Sequence, residues 1–198
     1  MLNFNKIIIS TVIVFACLSQ SACITRYNLH KESYLLTIPT PKNLKIEKKQ
    51  ELIIDQVTDT APFDKMHFIY RTQNQYLTDY YNYFLTPPSQ QIFPALLKYI
   101  KYRTAFNPSI SPETDLPQLE LQGRIIEIYA DYRQTDKPQA MVAMRFVLIK
   151  TENNRRTKVF EKTFRASNIL TAKNSSALVA AWNKCFRQIM LNLTNAIK

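Results

Sequence analysis

The side chains able to do chemistry are few: three cysteines, two histidines and a scatter of carboxylates in 198 residues. Cys23 is the best placed of them. It follows the small residues Ser21-Ala22 at the end of the apolar run Ile7–Leu18, and Lys6 is the only charge before it. A basic start, an apolar centre of roughly 7–15 residues and small residues before a cut are the layout of a secretory leader, here residues 1–22. The run is too short to cross a bilayer, which takes about 20 residues. A thiol at that cut is a site for acylation. Two or three acyl chains, at about 0.8 kcal/mol per buried methylene, hold a protein on a membrane far better than one chain does. Cys17, after Val14-Phe15-Ala16, competes with it and has an aliphatic residue three positions upstream, where Cys23 has Gln20. Choosing Cys17 shortens the apolar centre to Ile7–Val14, so Cys23 is preferred. An ordinary secreted protein with a cysteine there by chance is the remaining alternative.

No other group makes a reaction centre by its spacing. His30 and His67 stand apart, and no Cys/His/Asp cluster has the spacing of metal ligands, so neither a metal nor another cofactor is expected. No serine lies in a Gly-x-Ser-x-Gly elbow. Asp131 with Asp136, or Glu47 with Glu51, could be drawn as acid/base pairs, but carboxylates on a basic protein are more often solvated partners of lysine. Cys185 falls on a helical apolar stripe and reads as a small buried hydrophobe. Gly123 is the only glycine, which excludes glycine-rich phosphate loops and dinucleotide fingerprints. The net charge of +11 loses one lysine with the leader and calls for an acidic partner or surface. Export argues against that partner being nucleic acid.

The elements that must carry these residues form one domain over 33–198, joined to the anchor by a polar tether over 23–32. Strands are expected at Ser33–Ile38, Glu51–Val57, His67–Thr72 and Tyr76–Leu85. A helix follows at Gln90–Arg103, capped by Ser89, with Ile92, Leu96 and Ile100 in one stripe and Pro94 in its first turns. Residues 107–117 read as a proline-rich surface loop. Leu119–Tyr132 alternates and then shifts phase beside Gly123, the mark of a β-bulge. Gln139–Thr151 is apolar on both faces, as a central strand is. Asn153-Asn154 suits a hairpin turn into Thr157–Asn168. Ser175–Ile197, capped by Ser175 or Ser176, carries Leu178, Trp182, Cys185, Ile189, Leu193 and Ala196 along one face. Each helix has a single apolar stripe. The fold class is therefore α+β: a two-layer domain with a mixed, mostly antiparallel sheet and two main helices packed on one face. On the fourth strand, Tyr81 and Tyr83 share a face and Tyr80 points the other way. With Tyr70 and Arg71 on the strand before, they are the candidate partner-binding residues, since tyrosine is enriched at interfaces; the alternative is that the tyrosines only cover the sheet edge.

With Cys23 and the strand of Tyr34 and Leu36 in place, the chain resembles the ABC-type transport auxiliary lipoproteins, the PqiC-like group that accompanies MCE-domain lipid transporters. Ile69-Tyr70-Arg71, Tyr83-Phe84-Leu85, Pro87-Pro88 and the helix from Ser89 follow in that family's order. Leu121 with Gly123, the strand 139–151 and the alanine-rich last helix fit as well. The tryptophan that the family places before Pro-Pro is Tyr or Phe here. The resemblance implies a non-enzymatic accessory lipoprotein of an intermembrane lipid transport system. It would be anchored in the outer membrane through Cys23, with its domain in the periplasm and an MCE-domain protein as partner. Ile24 agrees with this location, because an aspartate after the acylated cysteine commonly marks inner-membrane retention. A homo-oligomer is left open. Another envelope assembly factor, a cell-wall synthase activator or a secretin pilot, is the second reading, and an exported hydrolase the third.

Overall fold

The computed structural model describes residues 30–111 and 119–197. The leader, Cys17, Cys23, most of the tether and the second half of the expected 107–117 loop lie outside the described residues. Residues Lys31–Lys198 make one folded unit. In chain order its elements are β1 (Glu32–Tyr34), β2 (Gln50–Ile54), β3 (Thr58–Asp59), β4 (His67–Thr72), β5 (Gln75–Phe84), α1 (Pro88–Arg103), β6 (Phe106–Ser109), β7 (Leu119–Asp131), β8 (Gln139–Glu152), β9 (Arg155–Ile169) and α2 (Ser175–Ala196).

The long strand β7 organises the sheet. One edge pairs antiparallel with β8, from Leu119 opposite Lys150 to Asp131 opposite Gln139. The other edge takes three short strands in turn, all parallel: β2 at Glu120–Leu121, β3 at Arg124–Ile125 and β4 at Ala130–Asp131. β9 extends the sheet beyond β8, and the turn between them places Asn153 and Asn154 at φ 50° and 59°, which asparagine tolerates. On the far side β5 pairs antiparallel with β4, and β1 parallel with β5. β6 lies parallel to β2. The long ladders are antiparallel and the short ones mostly parallel, as expected of a mixed α+β sheet.

Alternation along the long strands decides which face is covered. Leu119, Leu121, Gly123 and Ile125 point to the helices, a bulge between Ile125 and Glu127 resets the phase, and Ile128 and Ala130 point inward again. The bulged residue, Ile126, is three residues downstream of the glycine beside which the bulge is expected. Gly123 answers a different need, since a Cβ there would lie 3.2 Å from the buried Phe146 ring and 3.3 Å from Val57. Ala140, Val142, Met144, Phe146 and Leu148 face the same side from β8. α2 lies over β8 and β9 and touches α1, so both helices form one layer. The uncovered face carries charged cross-strand pairs, among them Arg145 with Glu161 and Arg165 with Glu127.

Several local expectations are corrected. The strand expected at Ser33–Ile38 is β1, which starts at Glu32 and stops at Tyr34. The Leu36 N–H donates to Gln91 Oε1 (2.6 Å) and the Thr37 N–H to Asn183 Oδ1 (2.9 Å), so this stretch is held by helix side chains, not by a neighbouring strand. Residues 107–109 are not loop but belong to β6. Ser89 does not cap α1; Pro87 occupies the cap position, and the Ser89 hydroxyl donates to Asp59 on β3. A carboxylate thus sits at the positive end of the helix. α2 is capped by Asn174, whose Oδ1 accepts the Ala177 N–H at 2.8 Å, leaving Ser175 and Ser176 in the first turn. The apolar stripe of α2 is buried as read, except that Ala196 is exposed and Ile197 takes its place.

Candidate functional site

The five candidate residues on β4 and β5 do not form one surface: Tyr70 and Arg71 are consecutive on β4 and face opposite ways, and Asp79 bends β5 at Tyr80–Asn82. From Thr72 opposite Gln75 to Phe68 opposite Asp79 the hairpin is regular; the next pair is His67 with Tyr83. Tyr80, Tyr81 and Asn82 are left over. Asp79 Oδ1 accepts the N–H groups of Tyr81 (2.8 Å) and Asn82 (3.1 Å), and Oδ2 accepts the Tyr70 hydroxyl (2.9 Å) and the Asn82 amide (2.7 Å). These bonds draw the chain into a bulge. Simple alternation fails across it: the rings of Tyr80 and Tyr83 both lie against His67, at 5.5 and 6.1 Å. Tyr80 is 66% exposed and Tyr81 41%. Tyr70 is turned inward, edge-on to Tyr132 at 5.6 Å, and burial pushes its phenol pKa up.

Arg71 belongs to a second place on the uncovered face, near the tip of the hairpin. Its guanidinium lies 5.5 Å from the Tyr76 ring and 6.0 Å from the Tyr129 ring, and Nη1 donates to the Tyr129 hydroxyl at 3.4 Å. Phe63 stacks on Tyr129 and meets Tyr76 edge-on, both at 6.1 Å. This is an aromatic box with a cation in it. Phe63 and Tyr129 come to it from distant parts of the chain, and no local signal announces them. Beside the box, Asp131 takes Arg133 in a bidentate pair, Nε to Oδ1 at 3.0 Å and Nη2 to Oδ2 at 2.6 Å. Asp131 is thus engaged as a partner of arginine.

Electrostatics at the two sites give a pH dependence. Burial pushes the Asp79 carboxyl up, but the hydrogen bonds from Tyr81, Asn82 and Tyr70 outweigh it and hold the pKa below the ordinary 3.8. Arg133 holds Asp131 below it as well, against the opposing effect of burial. A carboxylate whose folded pKa is lowered stabilises the fold fully above its ordinary value and loses that contribution as pH falls through the folded one. Asp79→Ala is expected to cost about 2 kcal/mol at pH 7, with bonds to a charged acceptor lost. Urea melts at pH 7 and pH 3 check this: the parent loses more stability between the two than Asp79→Asn does.

The remaining chemical groups are engaged elsewhere. Cys185 is buried, its Sγ donates toward the Ala140 carbonyl at 3.7 Å, and burial pushes the thiol up to about 12. His67 Nδ1 lies 3.1 Å from the Asp79 carbonyl oxygen. Among the described residues no group of three His, Cys, Asp or Glu side chains could hold a metal ion, and no helix is long and apolar enough to cross a membrane.

No family model matches the sequence, and no curated protein matches it. Solved structures do share its architecture. A crystal structure of a Xanthomonas campestris protein of family DUF330 has a TM-score of 0.67 at 14% identity, covering 82% of this chain and 92% of that one. A second, described as an uncharacterized protein, gives 0.67 and 14%, over 85% of this chain and 99% of that one. What they share is the fold. The two-layer arrangement built on β7, β8, β9 and α2 is therefore one that experiment has found in other chains.

Proposed function

We propose that the protein is a lipid-anchored envelope component that docks, without catalysis, onto an MCE-domain protein of an ABC-type lipid transport system. The observation that carries this reading is the leader ending in Ser21-Ala22 before Cys23, which is followed nine residues later by the first strand of a folded domain at Glu32. Acyl chains on Cys23 hold the domain at the periplasmic surface of the outer membrane. The rest of the reading follows the likeness to the auxiliary lipoproteins. Its agreement with the site is chemical: the one cysteine in the domain is buried with its thiol protonated, and the aromatic box around Arg71 is suited to holding another protein rather than to bond making.

Of the residues first grouped as partner-binding, the docking face takes Arg71, with Tyr76 beside it. Tyr80, Tyr81 and Tyr83 lie at the other end of the hairpin. The test is affinity isolation of the acylated protein from detergent-solubilised envelopes. An MCE-domain protein is expected to co-isolate, and Arg71→Ala with Tyr76→Ala is expected to weaken its recovery about tenfold, the loss of one interface anchor pair. Recovery of a cell-wall synthase or a secretin in its place would sink the transport reading and favour another assembly role.

A further inference from the structure

We propose that the bulged edge of β5 is a second, non-covalent membrane contact, in which Tyr80, Tyr81, Met66 and Leu85 rest in the headgroup layer of an anionic bilayer. This rests on the lipid-anchor reading of Cys23. The first argument is where the chain enters the domain. β1 runs parallel to β5 with Glu32 opposite Asn82, so the polypeptide arrives one residue from Tyr81. Nine steps of chain separate Cys23 from Glu32. They reach at most about 30 Å fully extended and about 16 Å as a relaxed coil. The polar layer on each side of a bilayer is about 5–8 Å deep. The chain thus enters the domain beside the edge that carries the tyrosines, within tether reach of an anchor at Cys23.

The second argument is composition. Leu85 is 53% exposed and Met66 41%, and the Phe84 N–H donates to the Met66 carbonyl, which puts these two apolar side chains at the same end of the edge. A groove of about 620 Å³ beside them is lined by Lys31, Lys65, His67 and Tyr83, with Asp64 as its one carboxylate. Glu32 accepts the Tyr34 hydroxyl. Tyrosine at an interface puts its ring among glycerol and upper acyl groups and its hydroxyl in water, and lysines beside it meet lipid phosphates.

The third argument sets aside the usual occupant of such an edge. β1 covers β5 only from Asn82 to Phe84, so among the described residues the outer edge from Gln75 to Tyr81 has no strand partner. A flat edge of that kind takes an added strand, from another protein or a second copy. The bulge set by Asp79 interrupts this edge at Tyr80–Asn82, which blocks continuous strand pairing and leaves the side chains as the contact. A bilayer needs side chains and no register.

The test uses the acylated mature protein in vesicles of phosphatidylethanolamine and phosphatidylglycerol carrying bromine-labelled acyl chains. Trp182 is fully buried and gives a constant background. A Tyr80→Trp variant is expected to lose a clear part of its added emission to the bromines, because an aromatic ring at the interface lies at the level of the headgroups and upper acyl chains. Val159→Trp, on β9 at the opposite edge of the sheet, is expected to lose none. Flotation with the vesicles reports the anchor and quenching reports the edge. Tyr80→Trp protein that floats but is quenched no more than Val159→Trp overturns the edge contact alone. Protein that does not float overturns the anchor, and this proposal with it.

Discussion

Trp182→Ala is expected to destabilise the domain by about 3–5 kcal/mol, the cost of deleting a large aromatic side chain from a closed core. Trp182 has no exposed surface. Its ring meets Phe68 edge-on at 4.9 Å and Phe84 at 5.2 Å, and Nε1 donates to the Tyr129 carbonyl at 3.3 Å. One side chain on α2 therefore binds the helix to β4, β5 and β7 together. Alanine leaves a cavity beside Phe68 and Phe84 and takes the indole donor from the Tyr129 carbonyl. Domains of this size hold about 5–15 kcal/mol in all, so a visible fraction unfolds. Trp182→Phe keeps the ring contacts and is expected to cost about 1–2 kcal/mol, chiefly for the lost hydrogen bond and volume. Chemical denaturation measures both. A loss below about 1 kcal/mol for alanine would mean that this helix does not seal the core.

The second large effect is on location. Cys23→Ser is expected to move the protein from the membrane fraction to the soluble fraction, because in the proposed reading Cys23 is the residue that receives the acyl chains. The edge of β5 does not substitute for them: a few interfacial side chains contribute far less than acyl chains at about 0.8 kcal/mol per methylene. Cys17→Ser is expected to leave the protein on the membrane. Fractionation of cells carrying each variant separates the two cysteines. Release by Cys17→Ser with retention of Cys23→Ser would move the anchor six residues upstream, and release by neither would remove it.

How much of this was legible in the sequence depends on the range of the interactions that set each element. β8, β9 and the turn at Asn153-Asn154 are legible because period-two alternation and a residue that accepts positive φ are local properties. So is α2, whose stripe from Leu178 to Leu193 is its buried face. β3 and β6 were missed because strands of two and four residues carry no period; they exist where an edge of β7 or β2 offers them hydrogen bonds. The β-forming residues after Tyr34 favour a strand, yet Gln91 and Asn183, far along the chain, claim the amides there. The candidate site shows the same division. Tyrosine content marked β5 as unusual, but a single acceptor, Asp79, cancelled the alternation by which its rings were placed. The box around Arg71 needed Phe63 and Tyr129, which only the tertiary fold brings to it.

The account as a whole depends on a diacylated cysteine at the start of the mature chain, and intact-mass measurement of protein extracted from membranes reads it directly. The expected result is a chain that begins at Cys23 and exceeds the mass of its sequence by a diacylglyceryl group, with or without a further acyl chain. A mature chain with an unmodified amino end, or one that retains residues 1–22, would contradict it.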